Sequence, residues 1–284
     1  MPQRSTPTAR QQRLGAELRK LRERAGLSAT DVSTRLGIER TKLSNIETGR
    51  SGISAERLRT LACLYECSDP NLIDALAAMT NDRSRHWWEQ YRGILPTGLL
   101  DLAEAEHHAR ALLVANAMHV PGLLQTRDYA RAVFEQVVPT LPPPQVEHRV
   151  AHRIIRQDVL YRESPVPCTA FVHEAALRML FGGPQTMRAQ LKHLIEMSER
   201  PHLTLGVVPF SAGAYSGAGQ NVAYFTGPVP QLDTVQLDTA HGSELAHSEA
   251  QLTKYRTILE AMRKVALPPQ ASRELVHEII RVTL

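Results

Sequence analysis

Between Gly26 and Arg50 the chain concentrates side chains that can read hydrogen-bond patterns on a polar surface. Arg40, Lys42 and Arg50 bring cationic donors, Thr41 and Ser44 bring hydroxyls, and Asn45 brings a donor and an acceptor on one amide. A guanidinium can grip O6 and N7 of a guanine with two donors, and a carboxamide can pair with the edge of an adenine. The same cations and hydroxyls also bind phosphate oxygens without reading a base. Ser28 adds a hydroxyl at the start of the stretch. The candidate DNA contacts are therefore Ser28, Arg40, Thr41, Lys42, Ser44, Asn45 and Arg50, and none of them belongs to a catalytic or metal-ligating pattern.

Such contacts need a rigid carrier. Ser28 is a good N-cap for a short helix ending near Leu36. Gly37 stands where the chain must leave that helix with positive φ. A second short helix is predicted from Arg40 to Thr48, with Gly49 stopping it. Leu27, Val32, Leu36, Leu43 and Ile46 are spaced to face a shared core. Arg13 to Arg24 supplies a preceding helix with Leu14, Leu18, Leu21 and Ala25 on one face. Ala55 to Tyr65 and Pro70 to Met79 supply two more. Two short helices joined by a tight glycine turn allow the second to lie in a major groove.

The string from Gly26-Leu27-Ser28 through Leu36-Gly37 to Leu43-Ser44-Asn45-Ile46-Glu47-Thr48-Gly49-Arg50 resembles the XRE-type, lambda-repressor-like helix-turn-helix family. The resemblance covers roughly 13 to 79 and implies a five-helix DNA-binding domain. It places Arg40, Thr41 and Asn45 on the groove side of the recognition helix. Ala29 stands where the family often has Gln, which removes one usual contact. The resemblance also implies that Arg22 approaches Glu47.

Charge follows the same division. Residues 1–79 carry 13 Lys and Arg against 9 Asp and Glu, whereas 80–284 carry 20 of each. The positive excess therefore lies in the proposed headpiece, where polyphosphate would attract it and salt would weaken it. Arg4 and Arg10, with Arg13 at its border, are the basic residues of a tail read as flexible over 1–12.

Other chemistries find no support in the spacing. All 12 histidines come after residue 85. His107 and His108 are adjacent and His148 and His152 are four apart, but a zinc site needs three or four convergent ligands. His173-Glu174 lacks the second histidine of a zinc-protease helix. Cys63, Cys67 and Cys168 make no disulfide framework, and Cys63 and Cys67 are expected to pack at a helix end. Gly213, Gly217 and Gly219 lie in a loop without the Lys-Ser/Thr of a phosphate loop. Tyr215-Ser216-Gly217 lacks the first glycine of a nucleophile elbow. No enzyme and no cofactor are expected. With no apolar run of membrane-spanning length and no signal-peptide segment, the expected location is cytoplasmic and nucleoid-associated.

The rest of the chain is read as mainly helical with a small mixed sheet. A helix is expected from Leu100 to Ala117, and another capped by Thr126. Strands are expected at Pro167–His173, Leu203–Phe210, Asn221–Phe225 and Thr234–Leu237. The first two would be joined by helices in a parallel crossover, and the last three would form an antiparallel meander with a flexible hairpin loop at 211–220. Helices Glu249–Val265 and Ser272–Val282 close the chain.

Trp87-Trp88 with Tyr91, Glu104-Ala105, Val120-Pro121-Gly122-Leu123-Leu124-Gln125-Thr126 and Tyr129-Ala130-Arg131 are followed in order by further blocks. These are Arg156-Gln157, His173 to Arg178, Gln190-Leu191 and Val207 to Gly213. Together they resemble the C-terminal domain of actinomycete WhiJ-like regulators. The stretch after Phe225 and around His241 departs from that pattern.

The resulting organisation is a tail at 1–12, a helix-turn-helix domain at 13–79, a linker at 80–98 and a regulatory or dimerisation domain at 99–284. The fold class is mainly α, with a five-helix domain followed by a larger α+β domain. The expected function is a sequence-specific transcription regulator binding a double-stranded operator as a homodimer. Stripes of Leu252, Tyr255, Leu259 and Met262, and of Leu275, Ile279 and Val282, are the expected dimer contacts. The resemblance adds a small BldB-like partner protein. The alternative is an antitoxin-like module that sequesters a small cognate protein and autoregulates its operon.

Overall fold

A computed structural model describes residues 6–80, 86–239 and 242–283. The chain divides into two compact units, Met1–Glu89 and Gln90–Leu284. Arg4, residues 81–85 of the expected linker and His241 lie outside the described residues.

The first unit carries five helices among its described residues: α1 (Ala9–Arg24), α2 (Ala29–Leu36), α3 (Arg40–Glu47), α4 (Ala55–Leu64) and α5 (Pro70–Thr80). Helix α1 starts earlier than the expected Arg13. Thr8 accepts from the Gln11 N–H while the Gln11 side chain accepts from the Thr8 N–H, and this reciprocal cap fixes the helix start. Arg10 and Arg13 are therefore helical, and Arg13 is buried 3.2 Å from Glu17 instead of belonging to a basic tail. Leu18, Val32, Leu43, Leu58 and Leu76 are fully enclosed, so each helix contributes one leucine or valine to a single core. Leu27 and Leu36 are only partly covered. Cys63 is exposed, contrary to the expected packing, because Leu61 and Ala62 take the inward positions of α4.

The second unit is built on a six-stranded sheet of order β3-β2-β1-β4-β5-β6. Its strands are β1 (Ala111–Asn116), β2 (Cys168–His173), β3 (Leu203–Val208), β4 (Val222–Thr226), β5 (Thr234–Thr239) and β6 (Gly242–Ala246). Strands β1, β2 and β3 are parallel. Strands β4, β5 and β6 continue from β1 as an antiparallel meander. The helices are α6 (Thr97–His108), α7 (Arg127–Phe134), α8 (Pro143–Arg156), α9 (Glu174–Arg178), α10 (Gly183–Ser198), α11 (Glu249–Val265) and α12 (Pro269–Thr283). One apolar cluster joins β1, β2 and β3 to residues of α6, α10 and α12, and another joins β1, β4 and β5 to α11.

Three expectations fail here, for related reasons. The helix read from Leu100 to Ala117 ends at His108, and Ala111–Asn116 is the central strand β1. A short apolar run that is covered on both faces shows no alternation, so periodicity cannot separate it from a buried helical turn. With β1 in the middle, β3 lies at one edge and does not pair with β4. The meander is β4-β5-β6 instead, and β6 is a short, mostly exposed edge strand with little apolar signal. The loop at 211–220 is consequently no hairpin. It runs across the carboxyl ends of the parallel strands, a span of roughly 14 Å at sheet spacing. Tyr215 stacks 5.9 Å from the His173 ring at the end of β2 on the way.

The two stripes expected to make a dimer also find their partners inside the domain. Leu252, Leu259 and Met262 pack on the sheet with Tyr255 beside them. Leu275 and Ile279 join the opposite core, leaving Val282 exposed. Among the described residues no helix is long and apolar enough to cross a membrane. Nor does any group of three or more His, Cys, Asp or Glu there suit a metal ion.

Candidate nucleic-acid interface

The candidate contacts lie on α3 and at the start of α2. Ser28 caps α2, accepting from the Asp31 N–H at 3.1 Å while the Asp31 carboxylate accepts from the Ser28 N–H at 2.9 Å. Hydrogen bonding from the Ser28 side chain, and then from its N–H, holds the Asp31 carboxyl below the usual range. Ser28 is exposed at the start of the helix. Gly37 closes α2 in the left-handed region at φ 61°, its N–H reaching Ser33 and Thr34 carbonyls. Helix α2 is thus set by a side-chain cap at one end and a glycine at the other.

Helix α3 is eight residues long, too short to be stable alone. Leu43 and Ile46 anchor it, at 0 % and 3 % exposure. At about 100° per residue, Thr41, Ser44 and Asn45 fall opposite that anchor, with Arg40 and Lys42 at the flanks. Arg40, Thr41, Lys42 and Ser44 are exposed and Asn45 is half-buried. Arg50 is exposed beyond the helix end, where the Ser51 N–H turns back to the Asn45 carbonyl at 3.0 Å. Helix α3 therefore puts Thr41, Ser44 and Asn45 on one face between Arg40 and Lys42 at its flanks, Arg50 follows beyond its end, and Ser28 stands at the start of the neighbouring helix.

Two devices fix α3 against α1. The first is a buried ion pair. Arg22 Nε and Nη2 donate to the two Glu47 oxygens at 2.6 and 3.0 Å, and Nη1 donates to the Leu27 carbonyl at 2.8 Å. Both side chains are under a tenth exposed. The hydrogen bond to Glu47 raises the Arg22 pKa further. Burial, with the Glu47 charge adding to it, pushes the nearby Tyr65 hydroxyl up to about 12.

The second device carried no signal in the helical pattern. Gly15 lies where a Cβ would stand 2.6 Å from the carbonyl oxygens of Ile46 and Glu47. Gly49, at φ +73°, would likewise place a Cβ 2.8 Å from the backbone of Gln11 and Gln12. Beside the fork, the end of α3 meets α1 at backbone distance, and any side chain at Gly15 or Gly49 would push the helices apart. A glycine inside a helical apolar pattern is the one sequence feature that could have marked such a close approach.

A rigid helix with a polar outer face, on a unit with excess positive charge, can enter a major groove and offer donors to base edges and phosphates. Two known protein families match separate parts of the chain. A family described as a helix-turn-helix domain matches residues 13–76. A second, described as a domain of unknown function (DUF5753), matches residues 99–278. No curated protein and no solved structure gives a match. The chain belongs to the DUF5753 family, whose domain here follows a helix-turn-helix DNA-binding domain in a regulator of that type.

Proposed function

We propose that the protein is a sequence-specific transcription regulator that binds an operator as a homodimer and whose second domain responds to a ligand or a partner protein. The observation that carries this reading is α3 itself. Its apolar side is anchored, its end is clamped by Arg22–Glu47 and its opposite side presents Thr41, Ser44 and Asn45 between Arg40 and Lys42. Arg40 and Asn45 read base edges, while Lys42, Arg50 and Ser28 serve phosphates. A single headpiece contacts few bases, so two copies spanning half-sites about 34–36 Å apart supply the affinity. Action on chromosomal DNA places the protein with the nucleoid in the cytoplasm.

The test is selection from random duplexes by the full chain, repeated with Arg40→Ala. A defined motif with two half-sites is expected. Arg40→Ala is expected to relax one base position and to lose about 1–3 kcal/mol there. An unaltered motif would remove Arg40 from base reading, and no enriched motif would overturn sequence-specific binding. Light scattering of the full chain on its operator gives the stoichiometry, and one chain per palindrome would refute the dimer.

A further inference from the structure

Helix α8 carries Arg149, Arg153 and Arg156 at i, i+4 and i+7, so the three share one side. They do not share one fate. Arg156 Nε and Nη2 donate side-on to the Glu106 carboxylate at 2.7 and 2.5 Å, a two-bond fork with both groups buried. Arg153 uses only Nη1, at 2.7 Å to the neutral Gln125 Oε1, and its guanidinium lies 4.2 Å from the centre of the Phe134 ring. Its Nε is shut from solvent and has no acceptor among the described residues. The Nε/Nη2 edge that Arg156 gives to Glu106 is therefore vacant on Arg153. Arg149 Nε is likewise buried without an acceptor.

Among the described residues no carboxylate pairs with Arg153. Asp238 acts on Arg153 through its field, yet it makes no ion pair with it, and its Oδ1 accepts from Gln236 at 2.7 Å. Burial and then the Arg156 charge bring the Arg153 pKa down to about 9, and burial lowers that of Arg149. A guanidinium ordinarily titrates far above this and keeps its charge. A buried cation without an opposite charge is costly. Both residues are only partly buried overall, so solutes can approach their outer ends.

The place in the fold also suits a ligand. Residues 117–125 leave the carboxyl end of β1, the strand where the sheet changes from parallel to antiparallel, and their turn lies over α8. Ligands of open α/β sheets bind outside the carboxyl ends of strands where the topology switches. Gly122 puts no side chain there; a Cβ at that position would stand 3.5 Å from Arg153 Nε and 3.8 Å from Arg156 Nη2.

We propose that Arg153 and Arg149 form a binding site for a small oxyanion, a carboxylate or a phosphate group of a small molecule, which enters at their outer ends and is held side-on by Arg153 Nη2 and, as the Gly122 turn moves off it, Nε, the way Glu106 is held by Arg156. The bound oxyanion supplies the negative charge that α8 lacks. The site stands whether or not the first domain reads an operator, so its test involves no DNA.

The full chain, labelled with nitrogen-15, is titrated with sodium phosphate and separately with sodium acetate, with chloride balancing ionic strength. The Nε–H signals are assigned through Arg149→Met and Arg153→Met. The expected result is a saturable shift of the Arg153 signal, abolition of phosphate- or acetate-dependent thermal stabilisation in Arg153→Met, and affinity weakened about tenfold or more in Arg149→Met. Tighter binding of phosphate than acetate would assign a phosphoryl ligand, and the reverse a carboxylate. Gly122→Leu keeps both arginines and fills the space before them, so it is expected to lose the response even where Arg153→Met does not fold. Absence of a saturable shift with either anion, or an unchanged response in Gly122→Leu, would overturn the site.

Discussion

Among the described residues each unit has a buried arginine–glutamate fork, and the two differ in what surrounds them. In the first unit, Arg22 gives two nitrogens to Glu47 and the third to a carbonyl, so each of its nitrogens has an acceptor. In the second, Arg156 is equally well held by Glu106, but Arg153 and Arg149 lie beside it with vacant Nε groups. The first fork is architecture: it sets α3 on α1. The second stands in a charge deficit that only an added anion balances. Geometry of the pair alone would not separate these roles; the count of acceptors around it does.

The sharpest way to break the comparison is to remove each carboxylate. Glu106→Gln leaves three neighbouring guanidiniums without a charge partner and is expected to cost about 3–5 kcal/mol, at the upper end of that range. Glu47→Gln is expected to cost less, because no like charges are exposed by it beyond Arg22. Thermal melts compare them. A double-mutant cycle of Arg22→Ala and Glu47→Ala is expected to show losses well short of additive; additive effects below 1 kcal/mol would reject the clamp.

Acid sharpens the same contrast. His152 is buried beside Arg156 and Arg153, and burial first, then those charges, bring its pKa down to about 3. The unfolded chain takes up its proton near pH 6.5, before the folded chain does. The neutral state's stability is therefore complete above about pH 6.5 and is lost as pH falls toward 3, by roughly 1.4 kcal/mol per unit. Helices α1 to α5 contain no histidine, so the loss belongs to the second domain. His152→Gln is expected to flatten the slope of stability between pH 6.5 and 4, measured by urea titration. An identical slope would show that His152 does not carry it.

A smaller effect is expected at the contact of α1 with α3. Gly15→Ala is predicted to destabilise the first unit by about 1–3 kcal/mol through overpacking and to weaken DNA binding by displacing α3. Wild-type stability in this variant would mean that the backbone approach has slack.

Much of the first unit was legible because its signals are local. Ser28, Gly37 and Gly49 cap or end helices by chemistry contained within a few residues, and Leu43 and Ile46 repeat at helical spacing. The Arg22–Glu47 contact, implied by family resemblance, is present as a fork. The second unit was legible in the helix capped by Thr126, in its last two helices and in four of six strands, whereas the helix from Leu100 was read through β1. Strand β1 was lost because a doubly covered strand has no period of two, and β6 because an exposed edge strand has little apolar signal.

The sequence by itself determined where the recognition motif lies, which side of α3 is polar, and that the positive charge sits with it. These follow from caps, periodicity and composition, all short-range properties of the chain. Only the tertiary structure decided that Gly15 touches the end of α3, that β1 divides the sheet into parallel and antiparallel halves, and that Glu106 neutralises Arg156 but leaves Arg153 bare. Each of these joins residues far apart in the chain, and which neighbour a buried charge or a glycine meets is fixed by packing, not by spacing.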